Sequence, residues 1–314
     1  MGWSFRERAV AAPSAGDGQV TTPMDVATFT SRDRCLGCLS TALETLSTGR
    51  FDEEPLRGFI AADPWGEDPL PYLDGLSWEY VRCRDCALTF QRKVLSPEWA
   101  EVKFSRWITA QAINDFAAKS SPKERMERGV HFTKHALQLE RLGAVKILDF
   151  GCGDGEFIEQ CRLYGLDAVG VDRSTARQEK NRGTIYPGLE ELAHGQFHAV
   201  TLFEVLEHLE HPRPTLESLA RVLRPGGILV LETPDTTGVT GIKSFHDYQM
   251  IHPLDHINGF TPKTLREFAE RLGFRQIHPP VSHATADLKR VIKTEAKRVL
   301  RYFPDRTQQY FVKN

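Results

Sequence analysis

The 314-residue chain predicts an α/β fold: a mostly parallel sheet covered on both faces by helices, preceded by a small cysteine-bound lobe. Three observations predict it. From Val145 onward, short apolar strands alternate with amphipathic helices. The first strand runs straight into a turn with glycine at alternate positions, Gly151, Gly153 and Gly155. Upstream, four cysteines fall into two C-x-x-C pairs. The composition, 40% hydrophobic and 26% charged, is that of a globular protein, which excludes wholesale disorder. A net charge of -2 gives no overall pull toward nucleic acid or anionic membranes. No apolar run approaches the roughly 18 residues of a transmembrane span.

Residues 1–28 (MGWSFRERAVAAPSAGDG and following) have no apolar h-region and read as a disordered leader of a cytoplasmic protein. Residues 29–95 form the lobe. Cys35-x-x-Cys38 and Cys83-x-x-Cys86 are separated by 44 residues, and two such knuckles complete a closed four-thiolate zinc site, structural rather than catalytic. Gly37 and the Arg84-Asp85 pair suit the tight reversals. Four unrelated cysteines or two disulfides are the competing reading, and a cytoplasmic chain keeps thiols reduced. The stretch ADPWGEDPLPYLDGLSW between the pairs reads as a loop or hairpin insertion. Residues 96–143 form a helical linker or lid, with apolar residues at three- and four-residue steps in WAEVKFSRWITAQAINDFAAK and ERGVHFTKHALQLERLG.

Residues 144–314 form the larger domain. Strands are expected at 145–150, 167–171, 197–203 and 228–232, a weak one near 184–186, and helices at 157–164, 214–223 and 261–272. The glycine turn lets a ligand approach bare main chain while the following helix offers free amides. Asp172, 23 residues past Asp149 at the end of the next strand, suits a carboxylate that accepts hydrogen bonds from a ribose diol. A nucleoside cofactor is expected. The spacing is G-x-G-x-G, with Glu156 where a dinucleotide turn would carry its third glycine.

The loop DFGCGDG, Asp172, FHAVTLFEVLEHLEHP and LRPGGILVLETP resemble the class I S-adenosylmethionine-dependent methyltransferases from about Lys146 to Phe274. The resemblance implies a Rossmann-like, seven-stranded, mostly parallel sheet whose last two strands form an antiparallel hairpin closed by QQYFVK. It implies S-adenosyl-L-methionine as cofactor. Gly151, Gly153 and Gly155, with Cys152 between them, would surround the methionine moiety and Asp149 its ammonium. Asp172 would take the ribose, and Leu202, Phe203 and Glu204 would line the cofactor near the sulfonium. His208 would shape the loop after the fourth strand.

YVRCRDCALTFQ and HPLDHINGFTPKTLREFAERLGF are similar to segments of sugar-nucleotide C-methyltransferases with a zinc lobe, and the second also resembles quinone-pathway O-methyltransferases. In the C-methyltransferases an acid–histidine pair supplies the base, which places Asp255 and His256 in that role. Pro253 stands where those enzymes often have tyrosine, and their long C-terminal domain has no counterpart in this sequence. Histidine titrates near neutrality and a carboxylate can fix its tautomer. His246 and His252 flank the same loop as alternative bases.

Near the C-terminus, Leu288, Val291, Ile292, Ala296, Val299, Leu300 and Phe303 make an apolar helical stripe amid lysines and arginines. A cover over the domain is the plain role; an anionic substrate, dimerisation or a membrane surface are the others. The expected activity is methyl transfer to oxygen or carbon of a small molecule, a sugar nucleotide or secondary metabolite. The alternative is a nucleic-acid-modifying or zinc-ribbon nucleic-acid-binding protein, against which stand the near-neutral charge and the acidic stretch between the knuckles.

Overall fold

The computed structural model describes residues 26–108, 129, 130, 133, 145–173, 183–277, 292 and 307–314. The expected leader, most of the linker and the basic C-terminal helix lie outside the described residues, apart from a few positions.

The N-terminal part begins with β1 (Phe29–Ser31), the first cysteine knuckle and β2 (Leu43–Arg50). Two short helices follow, α1 (Leu56–Ala62) and α2 (Leu70–Leu73), and then β3 (Ser77–Cys83) returns antiparallel to β2. The insertion between the cysteine pairs is thus a helical excursion between two hairpin strands, in keeping with its Pro and Gly content. β4 (Thr89–Gln91) and β5 (Lys93–Leu95) come next, and β5 pairs with β1. In α3 (Pro97–Val102), Ser96 caps the first turn and proline occupies its first position. The helix then widens into one π turn, Lys103–Trp107, a distortion that often marks a functional segment.

The larger sheet starts with β6 (Lys146–Phe150), which leads through the glycine turn into α4 (Glu156–Leu163). Strands β7 (Asp167–Val171), β8 (Ile185–Tyr186) and β9 (Phe197–Phe203) follow. Helix α5 (Pro212–Val222) leads into β10 (Leu223–Glu232), which starts five residues earlier than expected and carries a register break between Leu223 and Ile228 at the Pro-Gly-Gly step. Then come α6 (Phe245–Ile251), β11 (Asn258–Gly259), α7 (Pro262–Glu270), β12 (Phe274–Ile277) and β13 (Gln309–Lys313). Thr261 caps α7 in a reciprocal bond pair with Thr264.

Seven strands line up as β12-β13-β10-β9-β6-β7-β8. Those from β8 to β10 are parallel, and β13 runs antiparallel to both neighbours. This is the expected sheet with its closing hairpin. The chain moves from β6 outward to β8 and then restarts at β9 on the other side of β6. Strand order therefore reverses between β6 and β9, which is where open parallel sheets form their ligand crevice.

β11 does not join this sheet. It pairs with β4, so the second sheet reads β11-β4-β3-β2 and combines the N-terminal lobe with a strand from far downstream. The cores merge as well. Cys35, Cys83, Cys86 and Leu88 pack in one apolar cluster with Leu206, Leu216, Phe260 and Phe268. A Cβ on Gly37 would stand 3.3 Å from Leu88 and 3.4 Å from Phe268, so the knuckle sits directly on α7. Among the described residues no helix is long and apolar enough to cross a membrane.

Candidate functional site

The glycine turn lies at the carboxyl end of β6, beside the crevice. Gly151, Gly153 and Gly155 have φ values of 73°, 57° and 84°, left-handed conformations that exclude most side chains. A Cβ on Gly151 would also lie 2.5 Å from the Val205 side chain. Gly155 ends the turn at the start of α4, whose first amides have no intrahelical acceptor. The turn is tied to the next strand: Gly153 N–H donates to Asp172 Oδ2 at 2.8 Å. Asp149, 4% exposed, accepts from Thr201 Oγ1 at 2.6 Å across the β6–β9 switch point. Cys152 is buried, its sulfur occupying space that a side chain on Gly170 would need. Leu202 is wholly inside the core, whereas Phe203 packs edge-on against Phe157 with centroids 5.0 Å apart. Glu204 leaves β9 with φ 56° and donates its N–H to Glu232 O at 2.9 Å. A non-glycine residue held left-handed at a strand exit is strain of the sort found at functional sites.

After Glu204 a single helical turn, Leu206–His208, brings up Glu207 and His208. Opposite it stands the turn that follows α6 and bears Asp255 and His256. Asp255 Oδ1 lies 2.6 Å from Lys103 Nζ and 3.3 Å from His208 Nδ1. Its carboxylate thus engages Lys103 and His208. His256 Nδ1 instead lies 2.5 Å from Gln249 O, which makes that nitrogen the donor and leaves the lone pair on Nε2. The His208 and His256 rings meet edge to face, 4.8 Å apart.

Four groups share this space with unequal protonation. Burial disfavours the Asp255 anion, yet Lys103 and His208 outweigh it and hold Asp255 well below the usual carboxylate range. Burial likewise opposes charge on His208, but Asp255 and then Glu207 raise it. His256, desolvated and next to His208, is pushed down to about 3. Burial lifts Glu207 to about 8, and neither of its oxygens has a hydrogen-bond partner among the described residues. Two imidazoles at this distance resist double protonation, so on acidification His208 takes a proton before His256 does.

His252 and His246 are placed elsewhere. His252 accepts Leu254 N–H at Nδ1 (3.1 Å), and its Nε2 lies 2.7 Å from the Tyr248 hydroxyl, which is itself bonded to Asp63. Both nitrogens are committed to holding the turn. His246 is exposed on α6. Beyond the end of β7, the Arg173 guanidinium lies 6.0 Å from the Phe104 ring, so the π turn reaches from the Asp255–His256 turn to the exit of β7.

Two groups of side chains among the described residues converge tightly enough to share an ion, each with donor atoms within 4.8 Å of one another: Cys35, Cys38, Cys83 and Cys86, and Glu207, His208 and His256. In the first, Cys35 and Cys86 sulfurs are 3.4 Å apart and Cys38 and Cys83 3.5 Å. A tetrahedral ion with bonds of about 2.3 Å separates its sulfurs by about 3.8 Å, so the cage fits such an ion with small adjustment. Gly37 and Cys38 amides also point at Cys35 Sγ, as a thiolate requires.

The structure brings Asp149, the three glycines and Asp172, expected together from their spacing, to the carboxyl ends of β6 and β7. Lys103 and Gln249 carry no mark in the sequence, because nothing local signals a partner more than a hundred positions away or a backbone acceptor. Glu207 and His208 had a usable signal in EVLEH.

Sheet order, glycine turn and acid at the second strand define the class I S-adenosylmethionine-dependent methyltransferase fold. Comparison with known proteins agrees: residues 104–278, more than half of the chain, match the family described as "Methyltransferase domain". The chain belongs to that family. A mitochondrial ubiquinone biosynthesis O-methyltransferase of Schizosaccharomyces pombe is 37% identical over 106 residues, 29% of this chain and 39% of that protein. One from Psychrobacter cryohalolentis is 35% identical over 107 residues, 29% of this chain and 42% of that protein. The chain thus spans about two fifths of the length of these curated relatives. Among solved structures, the plantazolicin methyltransferase BpumL in complex with SAH overlaps with a TM-score of 0.47 at 16% identity, covering 68% of this chain and 93% of that one.

Proposed function

We propose that the protein transfers a methyl group from S-adenosylmethionine to oxygen or carbon of a small-molecule acceptor, a sugar nucleotide or secondary metabolite. The observation that carries the reading is the Gly153–Asp172 bond between the turn after β6 and the end of β7, which joins a bare main-chain turn to a carboxylate in the arrangement a nucleoside needs. The bound cofactor would supply an electrophilic methyl on sulfur. Gly151, Cys152, Gly153 and Gly155 would offer main chain to its amino-acid end and Asp149 a negative charge to its ammonium. Asp172 would hold the ribose, and Phe203 and Glu204, with the main chain of Leu202, would wall the sulfonium.

Transfer to a hydroxyl or acidic C–H releases one proton. His256 is the base in this reading: neutral, with Nδ1 fixed by Gln249 O and Nε2 able to accept. Asp255 acts at one remove: it lies against His208 Nδ1 and not against His256, so the ring it orients is that of His208. The four cysteines would bind Zn2+ as a structural ion. The O-methyltransferase names of the relatives favour oxygen as acceptor atom.

Two measurements test the reading. Calorimetric titration with S-adenosylhomocysteine should show one site per chain, and no binding would end it. Incubating the protein with isotope-labelled S-adenosylmethionine and small-molecule extracts should place label in a metabolite heavier by one CH2. With that acceptor, unaltered turnover in His256→Ala would remove the imidazole from the mechanism.

A further inference from the structure

Arg32 and Asn258 lie in neither the cysteine cage nor the nucleoside crevice, yet both are buried and bonded at every turn. Arg32 is 8% exposed and stands three residues before Cys35. Its guanidinium donates to Gln91 O at 2.9 and 2.5 Å, to Ile257 O at 2.7 Å and to Asn258 Oδ1 at 2.8 Å. Burial lowers it to about 9, with Glu210 pulling the other way, so it stays a cation at neutral pH.

Asn258 is 1% exposed. Its Oδ1 accepts from Arg32, and its Nδ2 donates to Leu206 O at 2.8 Å and Leu209 O at 2.7 Å. Those two carbonyls bracket Glu207 and His208. The amide therefore faces the lobe with its oxygen and the Glu207–His208 turn with its nitrogen. A second tie runs in parallel: Arg213, at the start of α5 just past that turn, donates to Gly37 O inside the first knuckle. Leu206 itself packs in the cluster that contains Cys35 and Cys86.

We propose that Asn258 is a positioning residue that carries the ion-held shape of the four-cysteine lobe to the turn bearing Glu207 and His208, so that loading of the lobe sets the geometry of the acid–base end of the site. The inference rests on the proposed methyl-transfer reading for the purpose of that turn, but its geometry stands independently. An ion that closes the two knuckles fixes Gly37 and, through the short link to Arg32, the amide of Asn258. The Nδ2 fork then holds both ends of one helical turn whose backbone closes through His208 N–H to Val205 O at 3.0 Å and a longer Leu209 N–H to Leu206 O at 3.4 Å. Released from the fork, such a turn opens locally.

Hydrogen exchange read by mass spectrometry on the full chain tests this, with zinc content measured on the same samples. In the wild-type protein, chelation of zinc should speed exchange of the 205–209 amides about tenfold while β6 and β9 stay protected. Asn258→Asp keeps an acceptor for Arg32 and removes the fork. It should retain zinc, exchange at 205–209 as fast as the chelated wild type, and respond less than about twofold to chelation. A full chelation response in this variant means that Asn258 acts only through local packing, and overturns the proposal. So does a wild-type protein that carries no zinc or whose 205–209 segment ignores its loss. If Asn258→Asp fails to fold, Arg32→Lys gives the same test from the other end, since lysine keeps the charge but cannot reproduce the planar guanidinium's bonds to Gln91 O, Ile257 O and Asn258 Oδ1 together. Titration with S-adenosylhomocysteine on loaded wild-type protein separates the two readings: absence of binding removes the methyltransferase reading and leaves the exchange result intact.

Discussion

Lys103 Nζ sits 2.6 Å from Asp255 Oδ1 and 2.6 Å from Leu254 O. A cation from the π turn before the larger sheet thus seats the loop that bears the candidate base, and it is itself nearly buried, with 7% of its side chain exposed.

Removing that cation should be costly. Lys103→Met leaves Asp255 with His208 as its cationic partner, and breaking a buried pair costs about 3–5 kcal/mol. Asp255 keeps 30% of its side chain exposed, so about 2–3 kcal/mol is expected. Urea unfolding at pH 7 measures it. Because Asp255 is held below its unfolded value, its contribution is present above about pH 4 and is lost as pH falls through the folded value. The gap between wild type and variant should narrow on acidification.

His208 gives the opposite sign. Its folded pKa is raised, so its stabilisation is complete below about pH 6.5 and declines as pH rises through the folded value. His208→Gln should flatten the alkaline limb of a stability–pH curve and leave the limb below pH 6 unchanged in slope.

Asp172→Ala takes away a carboxylate assigned to the ribose and the acceptor of Gly153 N–H. Hydrogen bonds to charged groups contribute about 1.5–3 kcal/mol. Affinity for S-adenosylhomocysteine should therefore fall about 10- to 100-fold by calorimetry.

Cys35→Ser breaks the cage at a fully buried position. Zinc content by mass spectrometry should drop from one ion per chain to none. Structural zinc contributes on the order of 10 kcal/mol to small lobes, so a melting temperature lower by about 10 °C or more is expected. An unchanged melting temperature would contradict the cage.

Gly151→Ala should destabilise the protein by about 1–3 kcal/mol, because the new Cβ meets the Val205 side chain at 2.5 Å in a left-handed conformation. Thermal unfolding checks it, and the same variant should bind S-adenosylhomocysteine less tightly.

Local chemistry explains what could be read without coordinates. Strand alternation, the glycines with positive φ, Asp172 and the cysteine spacing are each short-range patterns with one physical cause, and the sheet from β6 to β10 follows from them. The histidine pair needed more. Asp255 and His256 adjoin in sequence, yet consecutive side chains on a turn point apart, and their partners are Lys103 and Gln249. Asn258 and Gly259 are too short a strand to show a period, and a buried Arg32 looks no different in sequence from a surface arginine.

The two-residue strand β11 has a practical consequence. Because Asn258 and Gly259 complete the sheet begun at Leu43, the cysteine region is not a detachable cassette. Cutting it away would strip β11 of its neighbour, and transplanting it onto another enzyme would require moving two stretches of sequence together, one from before the larger sheet and one from between β10 and β12.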